Sequence, residues 1–248
     1  MAGDAAEEFQ GAYALVIMFG SIRYEQAVYG SFPFWKRGYA VLGRSEGCLP
    51  EWLEAMRRAC QGFGERPSGV ESFRCHFAAP MSRAHWMIVQ ADSLGRDDQD
   101  RPGATAFHAL FVTAWAYRRA GAAPLAFVPA FRADWTSDDQ DQILPQGSLK
   151  PAAHRKSLAP DLDPRIEPIV EALIQRRRAI VQTAAPADDL VRSVWRRLSG
   201  RTRRRTSAAT WAFSDANRFD FLATPRVGGL ALDGSELVLH LDAPQTRP

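Results

Sequence analysis

Two amphipathic segments stand late in the chain, with short runs of β-forming residues on both sides of them. That order narrows the fold more than any other feature. Residues 164–178 space Ile166, Ile169, Val170, Leu173 and Ile174 along one face, and Ile180 and Val181 extend the pattern. Residues 186–199 do the same with Leu190, Val191, Val194, Trp195 and Leu198, and Gly200 stands where that helix should stop. Apolar side chains at three- and four-residue intervals put one helix face against a core. Upstream, residues 22–29 alternate as a half-buried strand does, and residues 38–44 read as its antiparallel return across a loop holding Gly30 and Pro33. Downstream, residues 208–213, 219–223 and 237–241 read as strands. Strands at both ends with helices between predict one α+β domain over residues 1–248, built on a mixed sheet. Residues 164–200 then form a helical pair, either within that domain or as a subdomain of it.

The remaining segments fit this frame. Residues 13–19 are rich in β-formers. Residues 49–61 predict a helix, with Pro50 in its first turn and Gly62 as a left-handed C-cap. Residues 70–77 and 85–91 are further strand candidates, and residues 92–103 form a polar loop. Residues 107–119 begin like a strand and end like a helix, which short apolar runs leave open. Residues 124–160 hold five prolines and little periodicity, and read as an irregular surface connection.

Composition agrees with a folded globular chain, at 46% hydrophobic and 24% charged residues. Three cysteines do not make a closed disulfide set, which argues for a reducing compartment. The longest apolar run, residues 12–19, is far short of the roughly 18 residues a spanning helix needs. It follows Asp4, Glu7 and Glu8, where a secretory leader would carry basic residues. A cytoplasmic protein with no membrane partner is the expectation. The net charge of +3 hides an asymmetry: residues 150–205 carry 14 Lys and Arg against 6 Asp and Glu, and the segments on either side are acidic.

Arg192, Arg196, Arg197, Arg201, Arg203, Arg204 and Arg205 cluster at the end of the second amphipathic segment and in the residues after it. Guanidinium groups bind carboxylates and phosphates through a planar fork, so this patch suits an acidic protein surface or a nucleic acid. It contains none of the interleaved aromatics of single-strand binders. The plainer alternative is a solvated helix end whose arginines favour the helix dipole.

Other chemistries leave weaker marks. Cys48, Cys60, Cys75, His76, His85 and His108 lack the spacing of a zinc site, and the neighbours Cys75 and His76 would face opposite sides of a strand. Asp92, Asp97, Asp98 and Asp100 are dense enough to hold a divalent cation, but without EF-hand spacing they read more simply as a solvated turn. Nothing matches a phosphate-binding G-x-x-x-x-G-K-[ST] or G-x-G-x-x-G loop, or a G-x-S-x-G elbow. No cofactor is therefore expected. His108, just past a glycine turn and beside apolar residues, is the one candidate acid or base; the alternative is a buried histidine bonded to nearby backbone.

Three stretches, in order, resemble the N-terminal domain of the bacterial GTPase-associated protein one family. The first is Gln26-Ala-Val-Tyr29-Gly30-Ser31 followed by Gly38-Tyr-Ala-Val-Leu-Gly-Arg-Ser45-Glu-Gly47. The second is Asp100-Arg101-Pro102-Gly103 with Phe107-His108-Ala109-Leu110. The third is Arg203-Arg-Arg-Thr-Ser-Ala-Ala-Thr210-Trp211-Ala-Phe213. The resemblance implies a non-enzymatic adaptor in a multi-gene bacterial conflict or defence system, acting beside a GTPase or NTPase assembly. A nucleic-acid-binding accessory subunit and an enzyme using His108 remain as alternatives.

Overall fold

A computed structural model describes residues 20–150 and 163–241. The strand expected over residues 13–19 lies outside them. The fold is α+β, built on one mixed sheet of eleven strands. The antiparallel half comes from the first part of the chain: β1 (Ile22–Gly30), β2 (Ala40–Ser45), β3 (Cys75–Pro80), β4 (His85–Arg96) and β5 (Pro102–Thr113). They lie in the order β3-β4-β5-β1-β2. Two short strands extend it: β6 (Ile143–Leu144) pairs with β2, and β7 (Gly147–Leu149) pairs with the start of β1. The parallel half comes from the last part: β8 (Ala179–Gln182), β9 (Ala208–Ala209), β10 (Phe221–Thr224) and β11 (Leu237–His240), in the order β11-β8-β10-β9. β9 joins the halves, running parallel to β10 and antiparallel to β3.

Both faces of the antiparallel half are buried. Helix α1 (Pro50–Gln61) covers one face, where Met56 and Cys60 meet Phe77, Val89, Phe107 and Phe111. Helix α2 (Ala114–Arg119) and the 3-10 helix Pro124–Ala130 cover the other, where Tyr117 and Phe127 meet Ile22, Trp86, Ile88 and Leu110. Helices α3 (Ile166–Ile174) and α4 (Asp188–Arg197) pack Ile169, Val170, Val191, Val194 and Trp195 against Val181, Ala208 and Phe221 of the parallel half. A last short helix, α5 (Gly200–Arg203), leads into β9.

Several local expectations are corrected. Ile180 and Val181 do not extend the first late helix. Arg176 takes φ +60°, α3 ends at Ile174, and the two β-branched residues enter the buried strand β8. Gly62 follows α1 but is right-handed (φ −73°). A Cβ there would sit 2.7 Å from Oδ1 of Asn217, whose Nδ2 donates to the Ala59 carbonyl at 2.8 Å, so glycine permits a close approach rather than a left-handed cap. Gly200 does not stop α4. Leu198 is already extended, and Ser199 caps α5 by accepting from the Thr202 N–H at 3.1 Å.

The polar run 92–103 is mostly strand. β4 continues to Arg96 and β5 begins at Pro102, so the turn is only residues 97–101, tied by Asp97 Oδ1 accepting from the Gln99 and Arg101 N–H groups. The run 107–119 is strand and then helix, divided at Thr113, whose Oγ1 accepts from Ala116 N. The strand expected over 70–77 starts only at Cys75. Of residues 208–213, only Ala208–Ala209 pair as strand.

Candidate functional site

The fold separates the seven clustered arginines. Arg192 meets Asp189 at 3.8 Å and Arg197 meets Glu167 at 3.9 Å, both exposed pairs of little energetic weight. Arg196 and Arg201 are exposed and carry no ion pair among the described residues. Arg203 is half-buried and close to Tyr117. Burial pushes the Tyr117 phenol far up, and the Arg203 charge pulls against it. Arg204 and Arg205 are exposed beyond α5, and Arg205 Nη2 donates to the Ile174 carbonyl at 3.5 Å.

Arg204 and Arg205 line an open groove of about 660 Å³. Its other walls come from the β3–β4 turn, which supplies Arg83, and from α2, which supplies Arg118. Trp86 and Tyr117 lie at its floor, stacked with ring centroids 4.2 Å apart. Among the described residues, none of these four arginines pairs with a carboxylate. Low-dielectric walls around charges of one sign focus the field in such a groove and attract anions. Sequence reading missed Arg83 and Arg118 because each stands apart from the basic run. Only the β3–β4 hairpin and the α2 position bring them to it.

His108 lies elsewhere, on the face of β5 that points away from α1. Its Nδ1 accepts from the Arg132 N–H at 3.1 Å, which leaves the proton on Nε2 to donate to Gln26 Oε1 at 2.8 Å. Phe131 and Trp135 pack edge-on against the ring, and the side chain is 2% exposed. Burial is the main reason that its pKa falls to about 4, so the ring is neutral near pH 7. Both nitrogens are engaged and no face is open, which is the geometry of the buried-histidine alternative.

The same face carries Gln90 and His76, opposite one another in the β3–β4 ladder. His76 Nε2 lies 3.3 Å from Gln90 Oε1, and His76 Nδ1 lies 3.5 Å from Asp188 at the start of α4. Burial raises the Asp188 carboxyl, but His76, Thr210 and Arg192 together outweigh this and leave it below its ordinary value. His76 thus ties β3 and β4 to the start of the helix that covers the parallel half. Cys75 faces the opposite core, as strand alternation requires.

Of the four acidic residues Asp92, Asp97, Asp98 and Asp100, three are paired with arginine, and Asp98 Oδ1 is buried without a hydrogen-bond partner among the described residues. Asp97 meets Arg101 at 2.7 Å, Asp100 meets Arg96 at 3.0 Å, and Asp92 meets Arg74 at 2.7 Å. Among the described residues, no three His, Cys, Asp or Glu side chains converge as metal ligands. A second cleft, of about 540 Å³, runs from the end of α1 to the β4–β5 hairpin, with Tyr29, Tyr39, Phe107 and Phe213 in its walls. Its Arg101 is already paired with Asp97. Among the described residues, no helix is long and apolar enough to cross a membrane. No family model, curated protein or solved structure matches the chain.

Proposed function

We propose that this protein is a cytoplasmic, non-enzymatic adaptor that docks an acidic protein partner through its arginine-rich face. The observation that carries the reading is the convergence of Arg204 and Arg205 with Arg83 and Arg118 on one groove, without a carboxylate partner among the described residues. The family resemblance supports a GTPase or NTPase assembly as the partner. Two features favour a docking module over the alternatives. Trp86 is only 4% exposed and Tyr117 is fully buried, so among the described residues that line the groove no ring is open for bases to stack on. His108 is buried with both ring nitrogens hydrogen-bonded, which favours the buried-histidine alternative over a catalytic role.

The test is affinity purification from the native host with the parent and with an Arg204→Glu, Arg205→Glu variant. Arg203 is left intact because it packs beside Tyr117. Exposed charges are screened over about 8 Å at physiological salt, so the partner should be retained at low salt and released as salt rises. The double variant should melt as the parent does and lose the partner. Equal recovery by both proteins overturns the reading.

A further inference from the structure

We propose that the groove between the β3–β4 turn, α2 and the end of α5 binds a ligand carrying two or three linked phosphoryl groups. The proposal goes beyond the docking reading at the same groove, and each of the two can fail without the other. Its four arginines come from three separate elements: Arg83 from a hairpin turn, Arg118 from a helix, and Arg204 and Arg205 from the residues after α5. Arg204 and Arg205 come from the basic run, and folding brings Arg83 and Arg118, which stand far from it in sequence, to the same groove.

The charge count then selects the ligand. One carboxylate would leave three of the arginines that line the groove without a counter-charge. Linked phosphoryl groups bring roughly one negative charge each, and up to about two on a terminal group, within a few ångströms. Each also offers the oxygen pair that the guanidinium fork binds. A volume of about 660 Å³ lies within the range of small-ligand sites.

The second observation is Tyr117. Its side chain is fully buried at the groove floor, and its hydroxyl has no hydrogen-bond partner among the described residues. A buried hydroxyl left unpaired is costly; this one has no exposed surface, so it is the ring of Tyr117 and not its hydroxyl that forms the groove floor. Trp86, stacked on the same ring, fixes its position.

The experiment is calorimetric titration of the purified full chain at 50 mM salt, on the order used to expose electrostatic binding. The probes are inorganic tripolyphosphate, orthophosphate, citrate and a purine nucleoside triphosphate. Tripolyphosphate should bind saturably, at least about tenfold tighter than orthophosphate or citrate, since only it matches both the charge density and the fork geometry. Arg83→Gln and Arg118→Gln should each weaken it about tenfold or more while melting as the parent does.

Tyr117→Phe, which removes a hydroxyl with no exposed surface and keeps the ring, should leave tripolyphosphate binding as in the parent, with the melting temperature unchanged or raised. Tighter binding of the nucleoside triphosphate than of tripolyphosphate identifies a nucleotide as the source; equal affinity identifies the bare phosphate chain. The proposal is overturned by absence of saturable tripolyphosphate binding, by citrate binding as well, or by the arginine variants binding as the parent does. It is also overturned if a random single-stranded oligonucleotide displaces tripolyphosphate with a steep salt dependence, which marks a nucleic-acid surface. If the parent captures a protein partner yet ignores tripolyphosphate, the phosphate reading alone falls. If tripolyphosphate binds but Arg204→Glu, Arg205→Glu leaves partner capture intact, the docking reading alone falls.

Discussion

His108 carries the clearest consequence of a single side chain. Its native pKa of about 4 lies below the ordinary 6.5, so on acidification the unfolded chain takes up the proton first. Stability from this group is fully present above pH 6.5 and is lost as the pH falls toward 4, to a total on the order of 3 kcal/mol. Urea unfolding of the parent at pH 7, 6 and 5 should show that slope, and His108→Gln should flatten it over the same window. Parallel curves for the two proteins would rule out the sealed, neutral imidazole. At this scale the sequence was a fair guide to chemistry but not to company. An apolar neighbourhood and a glycine turn suggested a perturbed histidine. Nothing in the order of residues announced that Arg132, twenty-four positions on, would close Nδ1 with its backbone. The same holds for Arg83 and Arg118, which come to line one groove with Arg204 and Arg205 only when hairpin and helix are folded against each other.

Among the elements, the late segments divide into what periodicity can and cannot read. The apolar faces of α3 and α4 were legible because three- and four-residue spacing belongs to a helix and to little else. The strand between them was not, because Ile180 and Val181 continue the spacing of Ile166–Ile174 and their β-branching is a weak signal next to tertiary pairing. The same limit applies at Gly200, where a stop and a start look alike in sequence. Ser199 decides it, since its Oγ accepts from the Thr202 N–H and begins a new turn. Ser199→Ala should cost about 1 kcal/mol, read by urea denaturation. It should also speed hydrogen exchange at Arg203 and Arg204, whose N–H groups donate to the Ser199 and Gly200 carbonyls. Unchanged exchange there would show that α5 does not depend on its cap.

Across the whole molecule, the parallel half is held at the N-terminal ends of its strands by a buried ion cluster. Arg178, just before β8, donates to the Phe219 carbonyl at 3.0 Å and pairs with Asp215 and with Glu236, the latter at 3.3 Å. The two carboxylates are 7% and 1% exposed, so they depend on this one guanidinium more than on the exposed Arg218 beside Asp215. Arg178→Met should destabilise the fold by about 3–5 kcal/mol, measured by chemical denaturation, because it strands two buried charges. A loss below about 1 kcal/mol would mean that water reaches the cluster. The mixed architecture itself was readable, since strands at both ends with helices between them leave few alternatives. The direction of each strand was not, because it depends on which distant partners pair.

The sheet changes direction at β9, which is only two alanines long, and the residues that enter it are Arg203 to Ser207. Few ladder bonds cross that joint compared with the long β4–β5 pair. A load placed on Arg204 or Arg205 would bear on this two-residue joint. Tension applied there reaches both halves of the protein at once.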